Sequence, residues 1–244
     1  DSSTLSSQSI TTDMATLTRE VKKFATDKKI EIEICVEDGK KVEAKTCLLT
    51  AKGSTIDLLT AERTALNFLG HLSGIATTTN KWVNEISGTN AKVRDTRKTT
   101  PGLRLLEKYA VKAGGGTNHR MSLNDQALIK DNHIVAAGSI TNAFKLVKQK
   151  FPNKKVEIEV DTLEQLSEAI LLKPDLILLD NMSVDQCIKA VSITNGTVKL
   201  EASGGLTLEN AKAYANTGID YMAVGALTHS APILDIGLDF RKEK

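Results

Sequence analysis

Residues 155–180 read KVEIEVDTLEQLSEAILLKPDLILLD, and their pattern decides the fold class. Val156, Ile158 and Val160 alternate with Glu157 and Glu159, the period of a strand with two different faces. Thr162, followed three residues later by Gln165, is a capping-box start for a helix. The apolar LILLD from Leu176 is a second strand. Strand, helix and strand in this order form one βα unit of a parallel sheet.

The same rhythm continues on both sides. KLEAS from Lys199 and YMAVGA from Tyr221 are further strands, as are AKVRDT from Ala91 and ALIKDNH from Ala127, so that strands recur about every twenty residues beyond Lys155. Helices are expected after Ser139, before ITNAFKLV, and after Ser183 with its Gln186. LRLLEKYAVKA is another, ending at Gly114–Gly116, where a C-cap belongs. An open doubly wound sheet and a closed barrel both satisfy this periodicity, and no G-x-G-x-x-G fingerprint favours the open form.

Upstream, KIEIEICV from Lys29 alternates Ile with Glu, predicting a strand with one buried face. Asp38-Gly39 supplies a turn, and TCLLTA from Thr46 a second strand, so the N-terminal part reads as a small sheet. Leu66, Leu69 and Leu72 predict a helix starting near Thr60. Arg63 then falls in its first turn, the unfavourable end for a cation, and reads by itself as a solvated surface arginine. The opening dozen residues are Ser/Thr-rich and expected to be poorly anchored.

Composition excludes several classes. The 244 residues suffice for one large or two smaller domains, and 41% hydrophobic content is enough for a core. Lys and Arg number 32 against 30 Asp and Glu, and aromatic residues make up only 4%, which together argue against a nucleic-acid partner. Cys35, Cys47 and Cys187 form no C-x-x-C pair, which fits a reducing compartment. Without a bilayer-length apolar run or a signal-peptide start, the expectation is a cytoplasmic protein with no membrane partner. Positive charge is concentrated locally: from Lys92 to Lys130 there are nine Lys or Arg against three Asp or Glu.

In a barrel, reactive groups gather at the C-terminal strand ends. Here those ends carry Arg97 and Lys98, then Lys130, Glu159, Asp180, Ser203 and Gly225. Glu157 and Glu159 share one strand face, so at least one carboxylate is expected to project inward, where burial requires a cation or a metal. Glu159 and Asp180 beside cations suit Mg²⁺ held jointly with a phosphorylated substrate, although a structural ion pair with a strand-end lysine is equally open for Glu159. Ser203-Gly204-Gly205, between a strand and a helix, offers backbone N–H groups to an anion, and Gly225-Ala226 ends the next strand. His71, His133 and His229 lack partners at metal-ligand spacing and read as packed or surface residues.

In sequence order, LLTAERTALNFLGHLSGIATTT from Leu58, DTRKTTPGLR from Asp95, EKYAVKAGGGTNHR from Glu107, LIKDNHI from Leu128, VEIEVDTLEQL from Val156, LILLDN from Leu176, EASGGLT from Glu201 and TGIDYMAVGALTHSAPILDIGL from Thr217 closely resemble the quinolinate phosphoribosyltransferase family. The resemblance implies a smaller N-terminal α/β sandwich, residues 1–72, on which the tail 235–244 packs, and an incomplete TIM-like α/β barrel, residues 73–234. It implies transfer of phosphoribosyl from phosphoribosyl pyrophosphate to quinolinate with decarboxylation, giving nicotinate mononucleotide, in the presence of Mg²⁺.

Residue by residue, it assigns Thr96, Arg97, His119, Arg120 and Lys130 to quinolinate, together with Arg63 from the second subunit of a homodimer. Lys98, Glu159 and Asp180 fall to phosphoribosyl pyrophosphate and the metal, and Ser203, Gly204, Gly205, Gly225 and Ala226 to the 5′-phosphate. Upstream of Leu58 only SITTD, TLTRE and VEDGKKV match. The alternatives are a phosphoribosyltransferase for another pyridine acid and a non-catalytic relative that binds a phosphometabolite or anion.

Overall fold

The computed structural model describes residues 29–240. The Ser/Thr-rich start, the SITTD and TLTRE matches and the end of the C-terminal tail lie outside the described residues. The chain divides into two compact units, whose described residues are 29–69 with 236–240 and 70–235. Among the described residues no helix is long and apolar enough to cross a membrane.

In the first unit, β1 (Glu31–Ile34) pairs antiparallel with β2 (Leu49–Lys52), with Glu31 opposite Lys52 and Ile34 opposite Leu49. Gly39, at φ +79°, makes the expected Asp38-Gly39 turn. The buried face that the Ile/Glu alternation predicts is not formed in this ribbon, because Ile32 is 50% and Ile34 72% exposed. Alternation marks which side chains share a side, and burial needs a layer to pack on it. Helix α1 (Thr55–Glu85) starts five residues before the expected Thr60, with Asp57 in its first turn. Arg63 therefore lies inside the helix, and the dipole objection to it falls away.

The second unit is built on a six-stranded, wholly parallel sheet. Its elements after α1 are β3 (Lys92–Arg94), α2 (Arg104–Ala113), β4 (Ala127–Ile129), α3 (Asp131–Ala137), α4 (Ile140–Lys150), β5 (Val156–Val160), α5 (Leu163–Leu171), β6 (Leu176–Asp180), α6 (Val184–Thr194), β7 (Lys199–Ser203), α7 (Leu208–Ala215), β8 (Tyr221–Ala223) and α8 (Ala226–His229). Strand order is β3-β8-β7-β6-β5-β4. Each strand from β5 to β8 lies beside its predecessor, and β8 then returns to β3. That is barrel winding, since a doubly wound sheet reverses direction at a switch point.

One seam remains, between β3 and β4. Thr117 enters it, pairing parallel with Arg94 and donating its N–H to the Val93 carbonyl at 2.8 Å. Two residues on, His119 touches Glu157 on β5 and Glu201 on β7. A group beside β3 reaches both strands only because the sheet curls on itself, so the barrel is incomplete but curved.

The helix starts follow the expected chemistry. Ser139 Oγ accepts from Asn142 N, Thr162 Oγ1 from Gln165 N, and Ser183 with Gln186 makes a reciprocal box. Gly114 caps α2. ALIKDNH is strand only as far as Ile129: the Lys130 N–H donates to His133 Nδ1 at 2.9 Å, and α3 begins at Asp131. Val156, Ile158 and Val160 are wholly buried in the apolar core, together with Leu166 of α5 and Ile177 and Leu179 of β6.

The two ends of this unit meet. Leu234 N donates to the Gly70 carbonyl at 3.1 Å, and a Cβ on Gly74 would lie 1.9 Å from the Pro232 carbonyl oxygen. By helix propensity alone, Gly74→Ala would stabilise by about 1 kcal/mol. The contact reverses the sign: a loss of about 1–3 kcal/mol is expected, as for overpacked cores, measured by urea unfolding.

Candidate active site

A parallel sheet puts all its C-terminal strand ends on one rim. The loop after β3 carries Thr96, Arg97 and Lys98, Lys130 follows β4, Glu159 and Asp180 close β5 and β6, Ser203 ends β7, and Gly225 follows β8. Lys130 Nζ is ion-paired with Glu159 Oε2 across adjacent strands. Burial raises the Glu159 carboxyl against the pull of Lys130, and Asp180 adds to the rise. Asp180 is itself raised, first by burial and then by Asp161, with Lys130 and Lys98 opposing. Its register partner is Ser203, whose own partner is Ala223.

Lys98 closes the ring from the other side. Its carbonyl accepts from Thr228 Oγ1 at 2.7 Å, and its Cδ would lie 3.2 Å from a Cβ placed on Gly225. Lys98, Gly225, Ser203, Asp180, Glu159 and Lys130 therefore line a single rim. Glu159 and Asp180, both pushed toward the neutral form and both carrying oxygen donors, fit a divalent cation, which would relieve that pressure.

Two guanidiniums complete the positive side. Arg97 Nε is buried without a hydrogen-bond partner. Burial lowers the Arg120 guanidinium below its usual range, and the nearby charge of Arg97 lowers it further, while Glu157, Asp125 and Glu159 oppose the fall. Arg120 Nη1 donates to the Gln126 carbonyl at 3.0 Å. Arrays of this kind match a planar carboxylate.

At the glycine cradle, Gly204 has φ +83°, and a Cβ there would fall 2.1 Å from Asn181 Oδ1, so no side chain fits. Gly205, at φ +62°, faces open space. Ala226 opens the short α8, for which Gly225 is the N-cap. Arg63 is exposed on α1 and belongs to the first unit.

His119 is turned away from this rim. Its Nδ1 accepts from Arg120 N at 2.7 Å, which places the proton of a neutral ring on Nε2, 3.0 Å from Glu157 Oε2. The side chain is 6% exposed, and both nitrogens are committed to protein groups in the barrel interior. Around it, Arg94 pairs with Glu201 at 2.5 Å and lies 4.4 Å over the Tyr221 ring, and Gln126 Nε2 donates to Glu157 Oε2 at 2.9 Å.

Glu201 Oε1, 3.4 Å from His119 Nε2, makes no hydrogen bond, and Glu157 Oε1 has no partner either. Among the described residues, His119, Glu157 and Glu201 are where three conceivable metal ligands converge, but Arg94 is already ion-paired with Glu201 there. The inward carboxylate expected from the Glu157/Glu159 pair is Glu157, wholly buried. Arg94, Gln126 and Glu201 escaped the sequence reading, although Glu201 alternates with buried Leu200 and Ala202 as Glu157 does with its neighbours.

The remaining histidines are ordinary: His71 bonds Glu107 at 2.8 Å, His133 caps α3, and His229 is exposed beside Ser230.

Comparison with known proteins agrees with the motifs. The family profiles described as quinolinate phosphoribosyl transferase, N-terminal and C-terminal domains, match residues 13–73 and 75–239. A protein of Mycobacterium leprae named nicotinate-nucleotide pyrophosphorylase [carboxylating] is 57% identical over 84% of this chain and 73% of its own length. A Nicotiana tabacum protein named quinolinate phosphoribosyltransferase [decarboxylating] 2b, mitochondrial, is 40% identical over 89% of this chain and 67% of its own. The crystal structure of nicotinate-nucleotide pyrophosphorylase from Ehrlichia chaffeensis superposes with a TM-score of 0.87 at 43% identity, covering 91% of this chain and 81% of that one.

The interior carboxylates generate a pH signature. Burial, then Glu157, pushes Glu201 up to about 7 from 4.5, outweighing Arg94 and His119. Between those pH values the unfolded chain has lost this proton while the native state retains it, so stability falls as pH rises through the window. Thermal melts of wild type and Glu201→Gln at pH 4.5 and 7 are expected to show the wild type losing stability relative to the variant across that range.

Proposed function

The chain belongs to the quinolinate phosphoribosyl transferase family, and from that premise we propose that it joins phosphoribosyl pyrophosphate to quinolinate, releasing pyrophosphate and carbon dioxide and leaving nicotinate mononucleotide, a step of NAD biosynthesis. The carboxylating and decarboxylating names of its relatives describe this transformation in opposite directions. The observation that carries the reading is the partly buried Arg120 beside Arg97, whose Nε has no hydrogen-bond partner, next to a rim of lysines and carboxylates. A diacid needs such a surplus of cations, and a monoacid does not.

Arg97, Arg120 and Lys130, with Thr96 beside them, bind the two pyridine carboxylates, and Arg63 joins them from a second copy of the chain in a homodimer. His119 acts from beneath by holding the Arg120 backbone. Ser203, Gly204 and Gly205, with Gly225 and Ala226, receive the 5′-phosphate on bare N–H groups. Lys98 lies between this cradle and Asp180, where the pyrophosphate departs.

The ring nitrogen forms its bond to C1′ as the C1′–oxygen bond breaks, and that electron pair leaves with pyrophosphate. Glu159 and Asp180 face the positive charge that develops on the ribose. Mg²⁺ held by these carboxylates, directly or through the substrate, would neutralise the leaving group. The ring nitrogen is then cationic and stabilises the electron pair that the broken C–CO₂ bond leaves on the adjacent ring carbon; carbon dioxide departs, and solvent protonates that carbon. Positioning and electrostatics suffice, without a covalent enzyme intermediate. The free thiols of Cys35, Cys47 and Cys187 suit a reducing cytoplasmic setting.

Purified protein mixed with quinolinate, phosphoribosyl pyrophosphate and Mg²⁺ is expected to form nicotinate mononucleotide, and chelation to stop it. Nicotinate as preferred acceptor would overturn the substrate assignment. Arg97→Ala removes charged hydrogen bonds and should raise the quinolinate KM about tenfold or more while the protein stays folded by circular dichroism.

A further inference from the structure

We propose that helix α2 sets the geometry of the quinolinate clamp through three side chains that do not belong to it: Arg104, Glu107 and Lys108 are positioning residues for Arg97 and Arg120. The inference rests on the reading of those two arginines as carboxylate ligands. The three residues stand at i, i+3 and i+4, on one helix face. Among the described residues, every side-chain hydrogen bond of Arg104 and Lys108, and one of the two made by the Glu107 carboxylate, goes to the two segments that carry the clamp.

Arg104 bridges both segments. Its Nε donates to Thr99 Oγ1 at 3.0 Å and its Nη2 to the Arg97 carbonyl at 3.3 Å, while Nη1 donates to the Met121 carbonyl at 3.4 Å. Glu107 Oε2 accepts the Thr100 N–H at 3.1 Å, and its Oε1 is steadied by His71. Lys108 Nζ is ion-paired with Asp95 and donates to the His119 carbonyl at 3.0 Å; the same Asp95 oxygen accepts the His119 N–H at 2.9 Å. Arg97 is thus held from Asp95 on one side and Thr99 and Thr100 on the other, and Arg120 from His119 and Met121. One helix face fixes the distance between two loops that are about twenty residues apart in sequence.

Energetics separate this from ordinary packing. Asp95, Glu107 and Lys108 are all wholly buried. Burial pushes Asp95 up and Lys108 down, each opposed by the other, with Arg94 and Arg104 adding to the fall of Lys108. A buried ion pair is commonly no more stabilising than apolar side chains of the same volume, and α2 already anchors itself through buried Ala110 and Val111. Charge here specifies where the loops lie. Displacing a substrate ligand by about 1 Å is enough to cost on the order of a hundredfold in rate. Lys98 has a further anchor in Thr228, whose Oγ1 donates to its carbonyl, so the phosphoribosyl side of the site depends less on these three side chains than the clamp does.

The test compares wild type with Arg104→Gln, a partly exposed position that leaves the buried pair intact, and with Glu107→Leu and Glu107→Gln. Steady-state KM values for both substrates are measured, with amide hydrogen exchange over 96–100 and 118–121. Arg104→Gln is expected to raise the quinolinate KM at least tenfold, keep the phosphoribosyl pyrophosphate KM within twofold, and speed exchange in those two segments alone. Glu107→Leu should behave alike, whereas Glu107→Gln, which still accepts the Thr100 N–H, should stay near wild type. An unchanged quinolinate KM in folded Arg104→Gln, a parallel rise in both KM values, or exchange accelerated throughout the chain would each overturn the proposal. If the wild type turns over no quinolinate, the assigned reaction fails and the exchange data alone decide the role of α2, with unchanged protection in both segments counting against it.

Discussion

Parallel strands wound in one direction must end on one rim, and in this chain that geometric constraint collects residues scattered from Thr96 to Ala226. Hydrogen-bonded registers such as Asp180 with Ser203, and Ser203 with Ala223, hold neighbouring strand ends level. A cation on one strand therefore meets a carboxylate on the next without any loop having to fold back, as Lys130 meets Glu159. Chemistry is then a matter of which side chain occupies each final position.

Beneath the rim the interior departs from an apolar barrel core. Glu157 and Glu201 point inward, and Arg94, His119 and Gln126 answer them. Burying such groups is costly unless they are paired, and Arg94 Nε, Glu157 Oε1 and Glu201 Oε1 remain without partners. These carboxylates surround His119, the residue before Arg120. His119 joins the two levels, with its ring in the floor and its nitrogen accepting the Arg120 amide.

The strands from β5 onward were legible because each couples period-two or continuous apolar character to a capped helix. Thr162 and Ser183 announce helix starts by chemistry that needs no tertiary context. The rim was legible as a set of strand ends, and the roles proposed for its residues rest on the family motifs. What escaped depends on distance in space. Barrel closure is carried by strand order, which leaves no periodic trace. The direction of the His119 ring follows from carboxylates on β5 and β7, and the inward turn of Glu201 was readable only by analogy with Glu157. ALIKDNH reads as one strand until the His133 ring caps a helix at Lys130. The exposure of Ile32 and Ile34 reflects what packs on β1, about which the alternation itself is silent.

The hydrogen bond between Gly70 and Leu234 joins the first residue of the barrel unit to the last but one. A module whose entry and exit coincide can be treated as a loop without a preferred beginning. Its backbone can be reconnected across that point and opened elsewhere, at an exposed connection such as the one through Gly138, giving a circular permutant in which every strand keeps its neighbours. It also means that such a cassette can be spliced into a host protein through a single surface turn.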